Sequence, residues 1–447
     1  MSNQDNQQPF LHETIKKEHV SRKSFRNQVL RVILYGIIFG VFACFSFFGI
    51  RPWVEGMFQE EERQVITMPP DDDQDGNDVD ENDDENDDEY DHNENESNDL
   101  NEDNYNDEYI DDENEPDEIV IPELTVDNYQ EMWDSLYEIA MEANRAIVYI
   151  RGATEDWHWM DEEHFDENRV TGLIIYDTES EFLVVAHNSL TGSYQAFRIV
   201  LSNDISHPGE LVMQDNNRNL AVFSIDKELL DEEDLEAVEV ATLGNSNRPR
   251  KGDLVIAIGN FLGQGEGLSY GVLSSNRRHF TIPDGRIRLL GTNITASADG
   301  TGFLFNKSGE AVGFIMPGPW QGGGQTFVNS LGISDLRRAF VLLLTGDRVP
   351  FLGIEGVTVT EEIAEALEIP RGIHVSGVEL DSPAMDAGIL NGDIIYAFDG
   401  EYIETVAAFS RMVLEAEVDS EVNIQVMRRG AEGHEPLDFV VTIGSRE

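Results

Sequence analysis

An uncharged apolar run at residues 32–50 limits the possible fold and location of this chain more than any other segment. Its sequence is VILYGIIFGVFACFSFFGI. Nineteen residues at about 1.5 Å each are long enough to cross a bilayer as a helix. A cleaved signal peptide is the alternative, but it has a shorter apolar run and a small-residue cleavage site. Five Lys and Arg residues between positions 16 and 26 predict a cytoplasmic N-terminus. We therefore expect a single-pass cell-membrane protein, with a basic cytoplasmic tail at residues 1–28, a transmembrane helix at 29–53 and its globular part outside the cytoplasm.

An acidic segment follows the apolar run, at residues 54–120. Residues 71–120 hold 27 Asp and Glu and no Lys or Arg, in a chain of net charge −58. Such a segment repels itself and buries too little apolar surface to fold, so we predict a disordered spacer. Residues 71–76 match the start of a calcium loop, but its twelfth position is Asn82 instead of Glu, so we expect diffuse cation attraction instead of an EF-hand. The acidity argues against nucleic-acid binding.

Globular composition begins at about residue 121. Short apolar runs alternate there with Gly, Asn and Asp turns, which is typical of an all-β barrel or sandwich. The pattern also predicts helices at 126–143 and 334–345. The single cysteine, Cys44, lies in the apolar run and allows neither a disulfide nor a Cys-based zinc site within one chain. His158 and His164 lack the H-E-x-x-H spacing, so we predict no metal and no cofactor.

The order of several short motifs resembles the HtrA family of trypsin-like serine proteases with C-terminal PDZ domains. The matching stretches are Thr171-Gly172-Leu173-Ile174-Ile175, Asn219-Leu220-Ala221-Val222, Ala241-Thr242-Leu243-Gly244-Asn245-Ser246, Tyr270-Gly271-Val272-Leu273 and Gly309-Glu310-Ala311-Val312-Gly313. The resemblance implies a mainly β chain, with a trypsin-like double β-barrel at residues 121–345 and an α/β PDZ domain at 350–447. Family members are often trimeric, and a homotrimer stays open here because no trimer contact is recognisable.

Two positions of the family's catalytic triad carry asparagine. The family's histidine follows a strand similar to residues 182–186, and without a gap its position falls on Asn188. His187 lies one residue before this position, and a one-residue shift turns a strand side chain to the opposite face. A one-residue deletion in the alignment would place His187 at the catalytic position. The family's aspartate precedes Leu-Ala-Val, where this chain has Asn219. An amide does not stabilise an imidazolium as a carboxylate does.

The family's nucleophile is a serine in a Gly-Asn-Ser-Gly-Gly turn before an apolar strand. Counting back from Asn306 puts Gly300 at this position, and counting forward from residues 290–293 puts Thr301 there. Threonine nucleophiles in proteases rely on a free N-terminal amine, which Thr301 lacks. Ser297 lies three residues before Gly300. Ser246 is followed by Asn247-Arg248 instead of two glycines.

These changes predict a pseudoprotease, because losing the nucleophile alone removes nearly all of the rate. The alternative is an active HtrA-type serine endopeptidase whose triad is misaligned or rebuilt. A third hypothesis is that the protein is a surface spacer or scaffold whose functional segment is the acidic spacer.

The PDZ-like region retains its motifs better. Phe351-Leu352-Gly353-Ile354 is similar to the loop whose backbone N–H groups receive a ligand's terminal carboxylate in this family. The resemblance implies a groove between a strand and the helix at 405–414, and the other candidate peptide-binding residues are Ile373, Val375, Phe409 and Val413. It implies binding of peptide C-termini, unfolded proteins or partner proteins by β-augmentation in protein quality control or scaffolding. A PDZ fold that only packs against its neighbour is the alternative.

Overall fold

The computed structural model describes residues 125–153, 169–318, 327–430 and 433–446. The predicted cytoplasmic tail, transmembrane helix and acidic spacer lie outside the described residues, as do His158 and His164. Within the described ranges, no helix combines the length and apolar character that a membrane crossing needs.

The first described element is helix α1, Val126–Asn144, and it confirms the helix predicted at 126–143. A capping box starts it, because the Asn128 N–H donates to Thr125 Oγ1 and the Thr125 N–H donates back to Asn128 Oδ1. Ala140 and Ala143 are its buried residues, so α1 packs through the last turns before the chain enters the first strand.

Six antiparallel strands form the first closed barrel. They are β1 Ile147–Ala153, β2 Arg169–Asp177, β3 Glu181–His187, β4 Ala196–Val200, β5 Ser206–Asp215 and β6 Leu220–Asp226. The spatial order is β1-β2-β3-β6-β5-β4. Strand β3 is buried on both faces: Val184 and Ala186 belong to one apolar cluster, and Leu183 and Val185 to another. Burial on both faces explains why β3 reads as a continuous apolar run instead of an alternating one.

Six further strands form the second closed barrel, after the short helix α2, Glu232–Ala237. They are β7 Leu254–Gly259, β8 Gly267–Ile282, β9 Gly285–Thr295, β10 Gly302–Asn306, β11 Ala311–Ile315 and β12 Phe327–Gly332. The spatial order is β10-β11-β12-β9-β8-β7. Strands β8 and β9 form a long hairpin whose last pair joins Ile282 to Gly285, leaving Pro283 and Asp284 at the tip. This tip reaches the C-terminal unit.

Helix α3, Ile333–Leu344, leaves the second barrel and confirms the helix predicted at 334–345. The C-terminal unit then combines an antiparallel sheet with short helices. Its elements are β13 Pro350–Phe351, β14 Ile354–Val359, α4 Glu361–Leu367, β15 Gly372–Val378, α5 Pro383–Ala387, β16 Ile394–Phe398, β17 Glu401–Tyr402, α6 Val406–Glu415, β18 Glu421–Arg429, β19 His434–Thr442 and β20 Gly444–Ser445. The main sheet runs β14-β15-β16-β18-β19, with β17 beside β16, and β13 pairs with β20. The helix predicted at 405–414 is α6.

Candidate functional site

Asn188 and Asn219 lie next to each other in the structure. The resemblance to the HtrA family assigns these two positions to the His and Asp of the triad. Strand β3 ends at His187, and Asn188 begins a 3-10 turn. The Asn188 N–H donates to the Asn219 carbonyl at 3.2 Å, because β3 pairs with β6 through His187 and Leu220. The Asn188 side chain donates from Nδ2 to Asn216 Oδ1 at 2.6 Å. The fold thus brings the two predicted triad positions together, and the hydrogen bond that joins them is between backbone groups.

Asn219 is exposed and has a φ of 56°, in the left-handed region where Asn and Asp are favoured over other non-glycine residues. The carboxylate in the same turn, Asp215, is already paired. Asp215 contacts Arg218 at 2.9 Å, with both side chains 2% exposed, and it accepts the Asn217 N–H at 2.8 Å. Asp215 therefore fixes the β5–β6 turn and is bound to a cation instead of an imidazole.

His187 is a buried, neutral side chain. Its Nδ1 accepts the Ser189 N–H at 3.2 Å, so His187 caps the turn that begins at Asn188. Burial lowers the pKa of His187 from 6.5 to about 4. A catalytic base needs a pKa near the working pH and a carboxylate to orient it. Its pKa lies well below neutral, and among the described residues no carboxylate is hydrogen-bonded to it, so His187 meets neither need.

Gly300 has no room for a side chain. A Cβ at this position would lie 2.2 Å from the carbonyl oxygen of Phe261, far inside van der Waals contact. The close neighbour is backbone, which cannot rotate away as a side chain can. The loop that would present a nucleophile therefore packs directly on the β7–β8 loop.

Thr301 uses its hydroxyl to join the two barrels. Its Oγ1 accepts the Thr171 N–H at 2.9 Å and lies 3.3 Å from Thr171 Oγ1. Thr171 Oγ1 in turn donates to the Thr301 carbonyl at 2.9 Å and accepts the Asn260 N–H at 2.8 Å. Thr171 and Thr301 are 0% and 2% exposed. The hydroxyl of Thr301 is thus buried in a structural network.

Neither register leaves a free oxyanion donor at the nucleophile position. The nucleophile's own N–H forms part of the oxyanion hole in trypsin-like proteases. Here the Gly300 N–H donates to the Ser297 carbonyl and the Thr301 N–H to the Asn260 carbonyl, each at 3.2 Å.

Ser246 and Ser297, the two serines near nucleophile-like motifs in the sequence, both form hydrogen bonds that involve the backbone. Ser246 is fully buried, and its Oγ accepts the Ser334 N–H at 3.2 Å. Ser297 donates its own N–H to the Phe261 carbonyl at 2.8 Å, which closes the loop against that residue.

The predicted carboxylate-binding loop holds a carboxylate of the chain itself. The N–H groups of Leu352, Gly353 and Ile354 donate to the side chain of Asp284, at 2.7 to 2.9 Å. Gly353 has a φ of 89°, and a Cβ there would lie 2.3 Å from Ser382 Cβ, so the loop requires glycine.

No sequence motif indicated a role for Asp284. It lies at the tip of the β8–β9 hairpin, is 0% exposed and has a φ of 62°. Burial raises the pKa of Asp284, while the three N–H donors and the Arg218 charge oppose this rise. Pro283-Asp284-Gly285 predicts a turn, but these three residues do not indicate that Asp284 binds a loop some 70 residues further along the chain.

The remaining predicted peptide-binding residues lie near this loop. Phe351 is 6% exposed, and its ring lies 5.5 Å from the Arg446 guanidinium. The other four belong to the apolar core of the C-terminal unit; they are Ile373 and Val375 on β15 and Phe409 and Val413 on α6.

The two closed barrels followed by a β-sheet unit with a carboxylate-binding loop define a trypsin-like peptidase fold with a C-terminal PDZ domain. Family models agree: residues 170–314 match the trypsin-like peptidase domain, and residues 350–442 match the PDZ domain. The chain thus carries a trypsin-like peptidase domain followed by a PDZ domain, and in this it is similar to the HtrA-type proteases.

Several curated proteins and solved structures are similar to this chain. The chain is 26% identical over 279 residues to the periplasmic pH-dependent serine endoprotease DegQ of Escherichia coli, covering 61% of this chain and 58% of the relative. It is 24% identical over 280 residues to the serine protease Do-like HtrB of Bacillus subtilis, covering 58% and 59%. The match therefore spans under two thirds of these relatives' length. A structure of the HtrA-type protease AlgW with a decapeptide aligns at 22% identity and a TM-score of 0.47, covering 70% of this chain and 99% of that one.

Proposed function

We propose that this protein is a membrane-anchored HtrA-like pseudoprotease that binds peptide C-termini or partner proteins through its PDZ domain, in extracytoplasmic protein quality control or scaffolding. The observation that carries the binding role is the convergence of the Leu352, Gly353 and Ile354 N–H groups on a single carboxylate. A carboxylate accepts hydrogen bonds only, and a peptide C-terminus offers the same two oxygens.

The lack of cleavage is supported by what stands at the nucleophile position. In one register a side chain would overlap the Phe261 carbonyl, and in the other the Thr301 hydroxyl is hydrogen-bonded between the barrels. Amides at Asn188 and Asn219 remove the base and its orienting carboxylate. The names of the relatives describe proteases, and this chain departs from that chemistry at each position of the triad.

Cleavage is tested by fluorophosphonate labelling and casein hydrolysis with the full chain. We expect neither labelling nor hydrolysis. Labelling that disappears in Thr301→Ala or Ser297→Ala would identify an active serine-protease-type nucleophile and overturn the pseudoprotease assignment.

Peptide binding is tested separately, on an array of decapeptides that carry either a free or an amidated C-terminus. We expect retention of free-carboxylate peptides only. Equal retention of both forms would exclude recognition by the 352–354 loop.

The membrane anchor is tested by alkaline extraction of membranes from cells that express the full chain. The anchored protein stays in the membrane pellet, whereas release into the supernatant would contradict the anchor at residues 29–53.

A further inference from the structure

The tip of the β8–β9 hairpin lies in the groove of the PDZ domain. Besides its side-chain contacts, Asp284 donates its own N–H to the Ile354 carbonyl at 2.7 Å, at the start of β14. On the other side, a Cβ at Gly285 would lie 2.7 Å from Ser410 Oγ on α6. The tip thus lies between β14 and α6, the two walls that a β-augmenting peptide would use.

Apolar packing holds the hairpin in this place. Ile282 and Ile287 on the hairpin belong to the same buried cluster as Leu414 on α6. From behind, the Asn217 side chain donates from Nδ2 to the Pro283 carbonyl at 3.0 Å. The β5–β6 turn of the first barrel therefore supports the tip of a hairpin from the second barrel.

The side chain of Asp284 imitates the end of a peptide. Both of its oxygens accept backbone N–H groups, and Gly353 contacts the two oxygens equally at 2.9 Å. A buried carboxylate is costly unless hydrogen bonds compensate for its lost hydration, and here three consecutive N–H groups do so. A free peptide carboxylate in this loop would need the same donors, so the two cannot bind together.

We propose that Asp284 is a ligand in cis: the β8–β9 hairpin closes the PDZ carboxylate site, and an incoming peptide C-terminus must displace it. This inference rests on the proposed peptide-binding function and adds its regulation. The apparent dissociation constant rises in proportion as the open fraction of the site falls, and a competitor held by the fold acts at an effective concentration of about millimolar or more. The hairpin therefore makes the site selective for ligands that bind strongly or that also pull the hairpin away.

Two variants remove the cis ligand without straining the turn. Asp284→Gly deletes the carboxylate at a positive φ, where glycine is favoured. Asp284→Asn keeps the size and the turn preference but removes the charge. The matched control is Asp204→Gly, which makes the same substitution at a φ of 65° in an exposed turn of the first barrel.

The experiment measures two quantities on the full chain. Hydrogen–deuterium exchange reports the protection of the amides at 352–354. Fluorescence anisotropy reports the affinity for the best-retained free-carboxylate decapeptide from the array and for its amidated form. We expect Asp284→Gly to speed exchange of these amides and to tighten free-carboxylate binding by about tenfold or more, with Asp284→Asn intermediate and Asp204→Gly like the wild type.

The outcomes separate the two proposals. If wild type and Asp284→Gly bind the free-carboxylate peptide equally and better than its amide, the PDZ function stands and the cis ligand is excluded. If exchange at 352–354 is unchanged in Asp284→Gly, occupancy of the loop by Asp284 is likewise excluded. If no variant prefers a free carboxylate, the peptide-binding function itself fails and the inference fails with it.

Discussion

The carbonyl oxygen of Phe261 lies 2.2 Å from where a Cβ of Gly300 would stand. Restoring serine at this position is therefore not a simple repair. We expect Gly300→Ser to destabilise the protein by about 1–3 kcal/mol, as overpacking does, and to gain no fluorophosphonate labelling. Chemical denaturation and labelling check this. The control is Gly192→Ser, since a Cβ there meets nothing within 4 Å. Labelling of Gly300→Ser would show that the loop can open enough to present a nucleophile.

A second prediction tests whether the hydroxyl of Thr301 has a structural role instead of a catalytic one. Thr301→Val keeps the shape but leaves the buried Thr171 N–H without its acceptor at 2.9 Å. We expect a loss of about 1–3 kcal/mol in the free energy of unfolding. Thr301→Ser keeps the hydroxyl and should lose clearly less. Equal losses in both variants would mean that the hydroxyl is not the important contact.

Because His187 is buried, we expect the stability of the protein to fall as the pH is lowered. Its folded pKa of about 4 lies below the ordinary value of 6.5, so the unfolded chain binds the extra proton first. The contribution to stability is complete above pH 6.5 and is lost as the pH falls toward 4, by about 3 kcal/mol in total. His187→Asn retains a side-chain acceptor for the Ser189 N–H but does not titrate.

The measurement for His187 is the free energy of unfolding between pH 7 and pH 4. The difference between wild type and His187→Asn should shift in favour of Asn as the pH falls. The exposed His374→Asn is the matched control and should follow the wild type. Parallel curves for all three proteins would contradict burial of a neutral His187.

We expect the loss of one partner of the buried Asp215–Arg218 pair to lower the free energy of unfolding strongly. Both side chains are 2% exposed, so Arg218→Met leaves a buried carboxylate without its cation. We expect a loss of about 3–5 kcal/mol, and a smaller loss in the double variant Asp215→Asn/Arg218→Met. The surface pair Arg250–Asp253 has the same spacing, with side chains 86% and 42% exposed, and Arg250→Met should cost little. Similar losses in Arg218→Met and Arg250→Met would rule out this role of burial.

Much of the fold could be predicted from local patterns. The helices predicted at 126–143, 334–345 and 405–414 correspond to Val126–Asn144, Ile333–Leu344 and Val406–Glu415. The first two were predicted from apolar patterns within the segments themselves, which can be read without knowing their neighbours. The third was implied by the resemblance to the HtrA family. The order of short motifs resembles the HtrA family, and this resemblance implied the two barrels and the PDZ domain.

The site was only partly predictable. The sequence places Asn at 188 and 219, and the structure joins these positions through the Asn188 N–H and the Asn219 carbonyl. The ambiguity between Gly300 and Thr301 was one of register, which the motif alone left open. The structure gives each position its own role, since Gly300 packs on Phe261 and Thr301 bonds to Thr171.

The sequence shows directly which side chains are available: there is no serine at 300 or 301, and there are amides at 188 and 219. Local apolar patterns also predict the helices at 126–143 and 334–345, and the resemblance to the HtrA family implies the carboxylate-binding loop. That Asp284 fills this loop follows from long-range packing and could not be inferred from the sequence. Its contacts with Leu352, Gly353 and Ile354 join residues 68 to 70 positions apart, and they form only because the long β8–β9 hairpin and the PDZ groove meet in the folded chain.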